Sequence, residues 1–505
     1  PVFARGQAPR TNMSVRAHVD LLRRVLDIDT SSLKVVQVAG SKGKGSTCAF
    51  VEHILHKGFG VKTGLFTSPH LVSATERFRI NTEPVSEELF VEHFWWIWDK
   101  LYEAGIAFDH DHFPSFFTFF TLMAVRIFMQ QGVEIAILEV GIGGRLDSTT
   151  AVIDNLAACA ISVLDYDHTS MLGNTLTQIA GEKAAVMRDG LPACIIEQRE
   201  EGLQELQRIG AVVGARVRVV KSLKKEPARY STVRLGIPGD YQYDNAALAR
   251  AVVLELLAAG QISGYAPTGE SPASLTSDSK WEDNIQGGLQ QTRWLGRCTI
   301  METNDDASDE ELTRRGELVL AIDGAHTALS LKCCGEWFRG DVLATRPRHQ
   351  TALMFNCGLD RSPVELLRSL VSGCGVSTFD HAVFAPSDSA KFVSPQRASR
   401  LLANNLTKIR AYFQDDFNYT IPAEDLGVRL CIDGAQELSS ALQWSLLIAN
   451  VWARLAAAEG IASPKVWVCQ SLAHASKHLM EQSASAAAQD QSSPATAVLV
   501  TGSLY

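Results

Sequence analysis

At 505 residues the chain exceeds what one hydrophobic core organises, which predicts two or three domains, and its 46% hydrophobic and 20% charged residues exclude a disordered polymer. A formal net charge of −9 argues against nucleic acid as a partner, and no apolar run is long enough for a membrane span. Ten cysteines with no C-x-x-C pair and no zinc-ligand spacing read as reduced thiols of a cytosolic-type interior. The expected compartment is the cytoplasm, with a mitochondrial form if a leader precedes Pro1.

Val15, Val19, Leu22 and Leu26 recur at helical spacing and predict a first amphipathic helix. "LKVVQVAG" follows as a buried strand, "SKGKG" as a loop, and "STCAFVEHILHKG" as a helix ending at Gly58. "VKTGLFTSP" is the next strand, with helices near 86–104 and 115–131. "VEIAILEVGIGG" (133–144) and "LAACAISVLDYDH" (156–168) are further strands that run into polar residues, and "TQIAGEKAAVM" (177–187) reads as a helix. This alternation predicts an N-terminal, mostly parallel α/β sheet of the P-loop type over residues 1–296. Its polar clusters fall at the carboxyl ends of the strands, where such sheets bind ligands. A second alternation, with "LVLAIDGAH", "HQTALMFNCG", "DHAVFAP" and "TAVLVTGS" as strands, predicts a C-terminal Rossmann-like α/β domain over 297–505. The Ser-, Asp-, Gly- and Pro-rich stretches 264–288, 301–316 and 482–496 are expected to be poorly ordered inserts. In "FWWIWDKLYEAG", Trp95 and Trp98 stand three apart, which suits core packing of a helix better than the competing ligand stack.

The stretch "QVAGSKGKGST" (37–47) places small residues and lysines between a strand and a helix. That order suits phosphate: a bare backbone approaches the oxygens, and the amides of the helix N-terminus point at them. The strict Walker pattern fails, because Gly45 separates Lys44 from Ser46 and residue 39 is Ala. Lys44, nearest the helix start, is the candidate phosphate lysine, and Lys42 is read as a solvated neighbour. Ser68, Glu139 and His168 each end a strand and could meet around a divalent ion, although a histidine on magnesium is unusual and a structural role for it competes. Glu182 and Lys183 read, from sequence alone, as a solvated surface pair. "EVGIGGRLDSTT" lacks the G-x-G-x-x-G spacing of a dinucleotide fold, and no N-K-x-D segment supports a GTPase. Arg297, Asp323 and His326 could hold a ribose and a phosphate at a domain seam, or simply be loop polarity.

"VAGSKGKGSTCAFVEHIL", "GLFTSPHLVSATERFRIN", "EVGIGGRLDSTT", "DHTSMLGNTLTQIAGEKA", "GDYQYDNAALA", "DGAHT" and "VLVTGSLY" occur in that order. Together they resemble the folylpolyglutamate synthase family of the Mur ligase superfamily, in its eukaryotic, fungal-like branch. The resemblance implies an ATP-dependent amide ligase. It would phosphorylate the γ-carboxylate of a reduced folate, and L-glutamate would attack the acyl phosphate. It assigns Gly43, Lys44, Gly45, Ser46 and Thr47, with Asn245, Arg297, Asp323 and His326, to ATP. Ser68, Glu139 and His168 match the family's magnesium positions, and Lys183 matches a lysine that, as a carbamate, holds a second metal. Lys44, His168 and Lys183 are the implied catalytic groups. ATP, two Mg2+ sites and a monovalent cation such as K+ are the implied cofactors, with small-molecule partners and a monomeric chain. Ser41 and Lys42 depart from the family's Thr and Asn, "EKAAV" from EKAGI, and "WLGR" from WPGR. A dihydrofolate synthase that adds the first glutamate to dihydropteroate, and a non-catalytic nucleotide-binding regulator, stay open as alternatives.

Overall fold

A computed structural model of the chain describes residues 14–106, 112–225, 233–265, 279–302, 318–346, 350–386, 395–414, 419, 421–432, 439–461, 465–489 and 496–502. The chain divides into two compact units, Pro1–Ile237 with Tyr241–Trp294, and Pro238–Asp240 with Leu295–Tyr505. Among the described residues no helix is long and apolar enough to cross a membrane.

The first unit opens with α1 (Val15–Val25), whose N-terminus Ser14 caps through its hydroxyl. Strand β1 (Lys34–Ala39) leads into α2 (Lys44–His53) and a π-helical turn, Ile54–Gly58. Then come β2 (Thr63–Phe66), β3 (Phe78–Ile80), β4 (Glu83–Pro84), α3 (Glu87–Glu103) and α4 (Phe116–Gln130). Strands β5 (Ile135–Glu139) and β6 (Leu156–Ile161) precede α5 (Leu176–Lys183), β7 (Pro192–Ile196), α6 (Glu200–Val213) and β8 (Arg216–Val220). Helices α7 (Gln242–Ala258) and α8 (Ser279–Gln291) complete the unit. The eight strands form one sheet in the order β4-β3-β2-β5-β1-β6-β7-β8, parallel except at β2–β3 and β3–β4.

Side chains of a strand alternate between faces, and here both faces are covered, so β1 is apolar nearly throughout. Val35 and Ala39 join the core beneath α1, α4, α5 and α6. Val36 and Val38 join the opposite core beneath α2, α7 and α8. The second unit repeats the scheme with β9 (Thr299–Glu302), β10 (Leu318–Asp323), α9 (Ala328–Trp337), β11 (Gln350–Asn356), α10 (Pro363–Cys374) and β12 (His381–Phe384). It continues with α11 (Pro395–Phe413), β13 (Val428–Cys431), α12 (Ser440–Ala458), β14 (Lys465–Cys469), α13 (Leu472–Gln489) and β15 (Thr496–Gly502). Its sheet runs β13-β14-β12-β11-β15-β10-β9, parallel except at β9–β10. The expected α/β class, two mostly parallel sheets clad in helices, is what the chain adopts.

Three expectations need correction. Residues 279–288, read as part of a poorly ordered insert, belong to α8. Ile285 and Leu289 are fully buried there, and Arg250 pairs with Glu282 at 2.8 Å, both nearly buried. Gly288 is a close-packing residue rather than a loosening one, because a Cβ there would lie 2.5 Å from Cα of Ile54. The rest of that stretch apart from 264–265 lies outside the described residues. In the second stretch only 301–302 are described, within β9, and in the third 482–489 continue α13 while Thr496 opens β15. The tryptophans of α3 are not core: Trp95 is 54% exposed and Trp98 half-buried, while Ile97 and Leu101 face inward. The helix winds 100° per residue, so Ile97 and Leu101 share the inward stripe while Trp95 and Trp98 sit together on another face, their rings 6.4 Å apart.

Candidate functional site

The phosphate-loop candidate lies at the carboxyl end of β1, with β5 and β6 on either side. Val163 O accepts from the amides of Ser41 (2.9 Å) and Lys42 (3.1 Å), and Ser41 Oγ donates to Asp165 O at 3.0 Å. The loop is thereby stitched to the segment after β6. Gly43 ends it in the left-handed region (φ 86°) and caps α2, so Lys44 is the first helical residue. Thr47 N bonds back to Gly43 O at 2.8 Å, leaving the amides of Lys44, Gly45 and Ser46 in the first turn without an intrahelical acceptor. This is the positive end of a helix dipole presented by a loop with little side chain.

Helix α7 packs its first turns against this loop. A Cβ on Gly43 would lie 2.1 Å from Oδ1 of Asn245, Asn245 Nδ2 donates to Gln242 Oε1 at 2.8 Å, and Gln242 Nε2 donates to Ser46 Oγ at 3.4 Å. Asn245 was singled out in the sequence; Gln242, fully buried, was not. On the other side, a Cβ on Gly45 would lie 3.4 Å from Nε1 of Trp294 and 3.7 Å from Oε2 of Glu139. The Arg79 guanidinium lies over the Trp294 ring at 5.1 Å, and its Nε is 3.4 Å from Oε2 of Glu52, a fully buried acid on α2.

Lys183 departs most from the sequence-based reading. It makes no surface pair with Glu182, which instead meets Arg145 at 3.0 Å. Its side chain is buried and its Nζ donates to Gly40 O at 2.8 Å, directly behind the phosphate loop. Burial first, then the charges of Lys44 and Lys42, pull its pKa down to about 7, against Asp167 and Asp147. An amine at that value is neutral in a large fraction of molecules near neutral pH and is nucleophilic. Lys42 is likewise not a solvated neighbour: its Nζ pairs with the buried Asp167 at 2.8 Å.

Glu139, at the end of β5, is 6% exposed and its Oε2 accepts from Ser68 N at 3.0 Å, which brings two of the three candidate magnesium residues together. A buried carboxylate close to a phosphate loop calls for positive charge. The hydroxyl of Thr47 is buried without a hydrogen-bond partner among the described residues. A carboxylate and hydroxyls form an oxygen-rich donor set, which fits a hard divalent cation. His168 stands exposed on the loop after β6, in a left-handed conformation (φ 51°), next to the buried Asp167. The glycine turn after β5 is organised by Asp147, whose Oδ2 accepts from the amides of Gly141 and Ile142 at 3.0 and 3.2 Å.

Arg297, Asp323 and His326 belong to the second unit and are organised there. Asp323 ends β10; its carboxylate is buried and accepts from the amides of Cys298 and Ala325, each at 2.9 Å. Gly324 N donates to Gly296 O at 3.0 Å, and a guanidinium nitrogen of Arg297 donates to the same carbonyl at 2.9 Å. A 2.7 Å hydrogen bond joins the His326 ring, through Nδ1, to Gly324 O.

The chain is 37% identical over 372 residues to "Folylpolyglutamate synthase, mitochondrial" of Bos taurus, covering 71% of this chain and 60% of that protein. It is 36% identical over 415 residues to a "Folylpolyglutamate synthase" of Arabidopsis thaliana, covering 76% of this chain and 69% of that one. The chain thus spans about 60% of the length of the bovine relative. A Mycobacterium tuberculosis folylpolyglutamate synthase, solved with ADP and AMPPCP, superposes with a TM-score of 0.66 at 22% identity, covering 97% of this chain and 93% of that one. That likeness is one of fold. No family model matches the chain.

Proposed function

The chain belongs to the folylpolyglutamate synthase family, and from that premise we propose that it is an ATP-dependent ligase that adds L-glutamate to the γ-carboxylate of a reduced folate. The observation that carries the proposal is the buried Lys183 amine held against the back of a glycine loop that opens a helix. A protein that merely bound nucleotide would have no use for a buried amine there. In this reading the amides of Gly43, Lys44, Gly45, Ser46 and Thr47 and the Lys44 ammonium receive the phosphates of ATP. Asn245, Arg297, Asp323 and His326 contribute the remaining nucleotide contacts. Ser68, Glu139 and His168 would hold Mg2+, and Lys183, as a carbamate formed when its neutral amine adds CO2 and gives up a proton, would hold a second. Bound magnesium supplies the positive charge that offsets charge spreading over the transferring phosphoryl group. A monovalent cation such as K+ is a further cofactor. Lys44 neutralises the same developing charge from the loop side, and its helix keeps it there without reorganisation. The folate γ-carboxylate takes the γ-phosphoryl group, and the amine of glutamate displaces phosphate from the acyl phosphate. The protein acts as a monomer in the cytoplasm, with a mitochondrial form.

Incorporation of labelled glutamate, with ATP and magnesium, is measured in parallel on tetrahydrofolate monoglutamate and on dihydropteroate. Label entering tetrahydrofolate as a ladder of longer tails is the expected result. Label entering dihydropteroate alone would make the chain a dihydrofolate synthase, and label entering neither would leave a nucleotide-binding regulator. Lys44→Ala is expected to lose most ligation, and near-normal rates would refute the role of the loop. Lys183→Ala is expected to retain ATP binding by calorimetry while losing turnover; unchanged turnover would remove the carbamate.

A further inference from the structure

Four side chains of the second unit meet at the sheet edge opposite β9 and β10 and take no part in the reading above. Cys431 ends β13 and Cys469 ends β14, and the two are direct partners in the parallel register. Paired residues of neighbouring strands project on the same side of the sheet. Helix α13 lays His474 and His478, one turn apart, over Cys431. Cys431 Sγ lies 3.6 Å from Nε2 of His474 and 3.6 Å from Nδ1 of His478. The remaining ring nitrogens, Nδ1 of His474 and Nε2 of His478, are buried without a hydrogen-bond partner among the described residues. Two imidazoles left half-satisfied cost stability, and a thiol flanked by both has a use for them as proton acceptors. Cys431 is half-exposed and Cys469 fully buried, so a small oxidant in solution reaches one sulfur and not the other.

We propose that Cys431 and Cys469 form a redox-active pair, in which a hydroperoxide oxidises Cys431 and Cys469 resolves the product to a disulfide. In the first step Cys431 passes its proton to an imidazole and the thiolate attacks a peroxide oxygen. The O–O bond breaks, and the departing oxygen leaves with that proton as water or an alcohol. Sulfur loses two electrons to become a sulfenic acid, and the peroxide gains them. In the second step the Cys469 sulfur attacks the Cys431 sulfur. The S–O bond breaks, and hydroxide leaves as water with the Cys469 proton. Burial, reinforced by the neighbouring Cys431, holds the Cys469 thiol well above its ordinary range, so its proton departs with the hydroxide leaving Cys431, the sulfur that both imidazoles face. Neighbouring strands lie about 4.8 Å apart, inside the Cα separations a disulfide spans, so closure needs no backbone rearrangement. Metal binding is the competing use of two cysteines and two histidines. Among the described residues, however, no group of three or more His, Cys, Asp or Glu side chains is arranged to hold an ion.

The test treats the reduced 505-residue chain with stepwise hydrogen peroxide, alkylates the remaining thiols and maps the peptides by mass spectrometry. The expected product is a Cys431–Cys469 cross-linked peptide that forms at least about tenfold faster than oxidation of Cys333, the other half-exposed cysteine. Cys469→Ser is expected to replace the cross-link with a dimedone-trapped sulfenic acid on Cys431, and His474→Gln to slow that trapping. The proposal is overturned if Cys431 in the wild-type chain reacts no faster than Cys333, or if the cross-link never forms. It is also overturned if the purified chain carries one equivalent of zinc that a thiol reagent releases. The wild-type comparison stands even if a variant fails to fold, and none of these outcomes depends on ligase activity.

Discussion

Replacing Gly43 with alanine tests whether α7 truly presses on the phosphate loop. Two costs follow from the structure. A residue with a Cβ held at φ 86° loses about 1–2 kcal/mol relative to glycine. The new Cβ would also sit 2.1 Å from Oδ1 of Asn245, which must swing away and give up its hydrogen bond to Gln242. Leaving such buried polar groups unpaired costs about 1–3 kcal/mol more. The single variant is therefore expected to lose about 2–5 kcal/mol in chemical denaturation followed on the first unit. In an Asn245→Ala background the obstacle is gone and only the backbone strain remains. The double-mutant cycle should then show a coupling of about 1–3 kcal/mol. Additive costs, within about 0.5 kcal/mol, would refute the argument, because they would mean the amide and the loop do not share the space between them.

Glu52 offers a pH test. Burial raises its pKa to about 7, against the opposing pull of Arg79 and the Thr82 amide. Between 4.5 and about 7 the folded chain keeps a proton that the unfolded chain releases, so this group's stabilisation is full below 4.5 and is lost as pH rises through 7. Relative to Glu52→Gln, the wild type should lose stability over that window, and parallel denaturation curves would show that the carboxyl does not titrate there. Arg250→Met should cost about 3–5 kcal/mol by removing the 2.8 Å ion-pair partner of the buried Glu282, and the pair Arg250→Met with Glu282→Leu should recover most of it. Faster amide exchange confined to 279–291 in the single variant would localise the effect, and an unaltered midpoint would contradict it.

The parallel strands of the first sheet were legible because two covered faces leave near-continuous apolar runs such as "KVVQVA" and "IAILE", each ending in glycine or acid. Strands β7 and β8 were passed over, since "PACII" is short and "RVRVV" alternates polar and apolar at the sheet's edge. Helix α8 hid behind its Ser, Asp and Gly content, although Trp281, Ile285 and Leu289 already recur at four-residue spacing. Around the site, one kind of information was systematically out of reach. Lys183 beside Glu182, and Lys42 among glycines, look like surface residues in one dimension. Only the crossing of distant segments, Lys183 over Gly40 and Lys42 onto Asp167, buries their charges. The same applies to Gln242 and to the Cys431 cluster, whose members lie too far apart in the chain for any spacing rule to join them.

The position of β15 bears on how the second unit is made. It pairs with β10 on one side and β11 on the other, so residues 318–323 and 350–356 acquire their common neighbour only when 496–502 arrive. During synthesis two apolar strands must wait, with facing backbone edges open, through most of the translation of the unit. Such a wait raises the contact order and lengthens exposure to aggregation. Every described strand and helix of the first unit, by contrast, has been synthesised by residue 294. The unit carrying the phosphate loop can therefore assemble early, while the other keeps two strand edges open until its central strand arrives. A stop codon between residues 469 and 496 would leave not merely a shortened sheet but a split one, with β10 and β9 parted from β11, β12, β14 and β13.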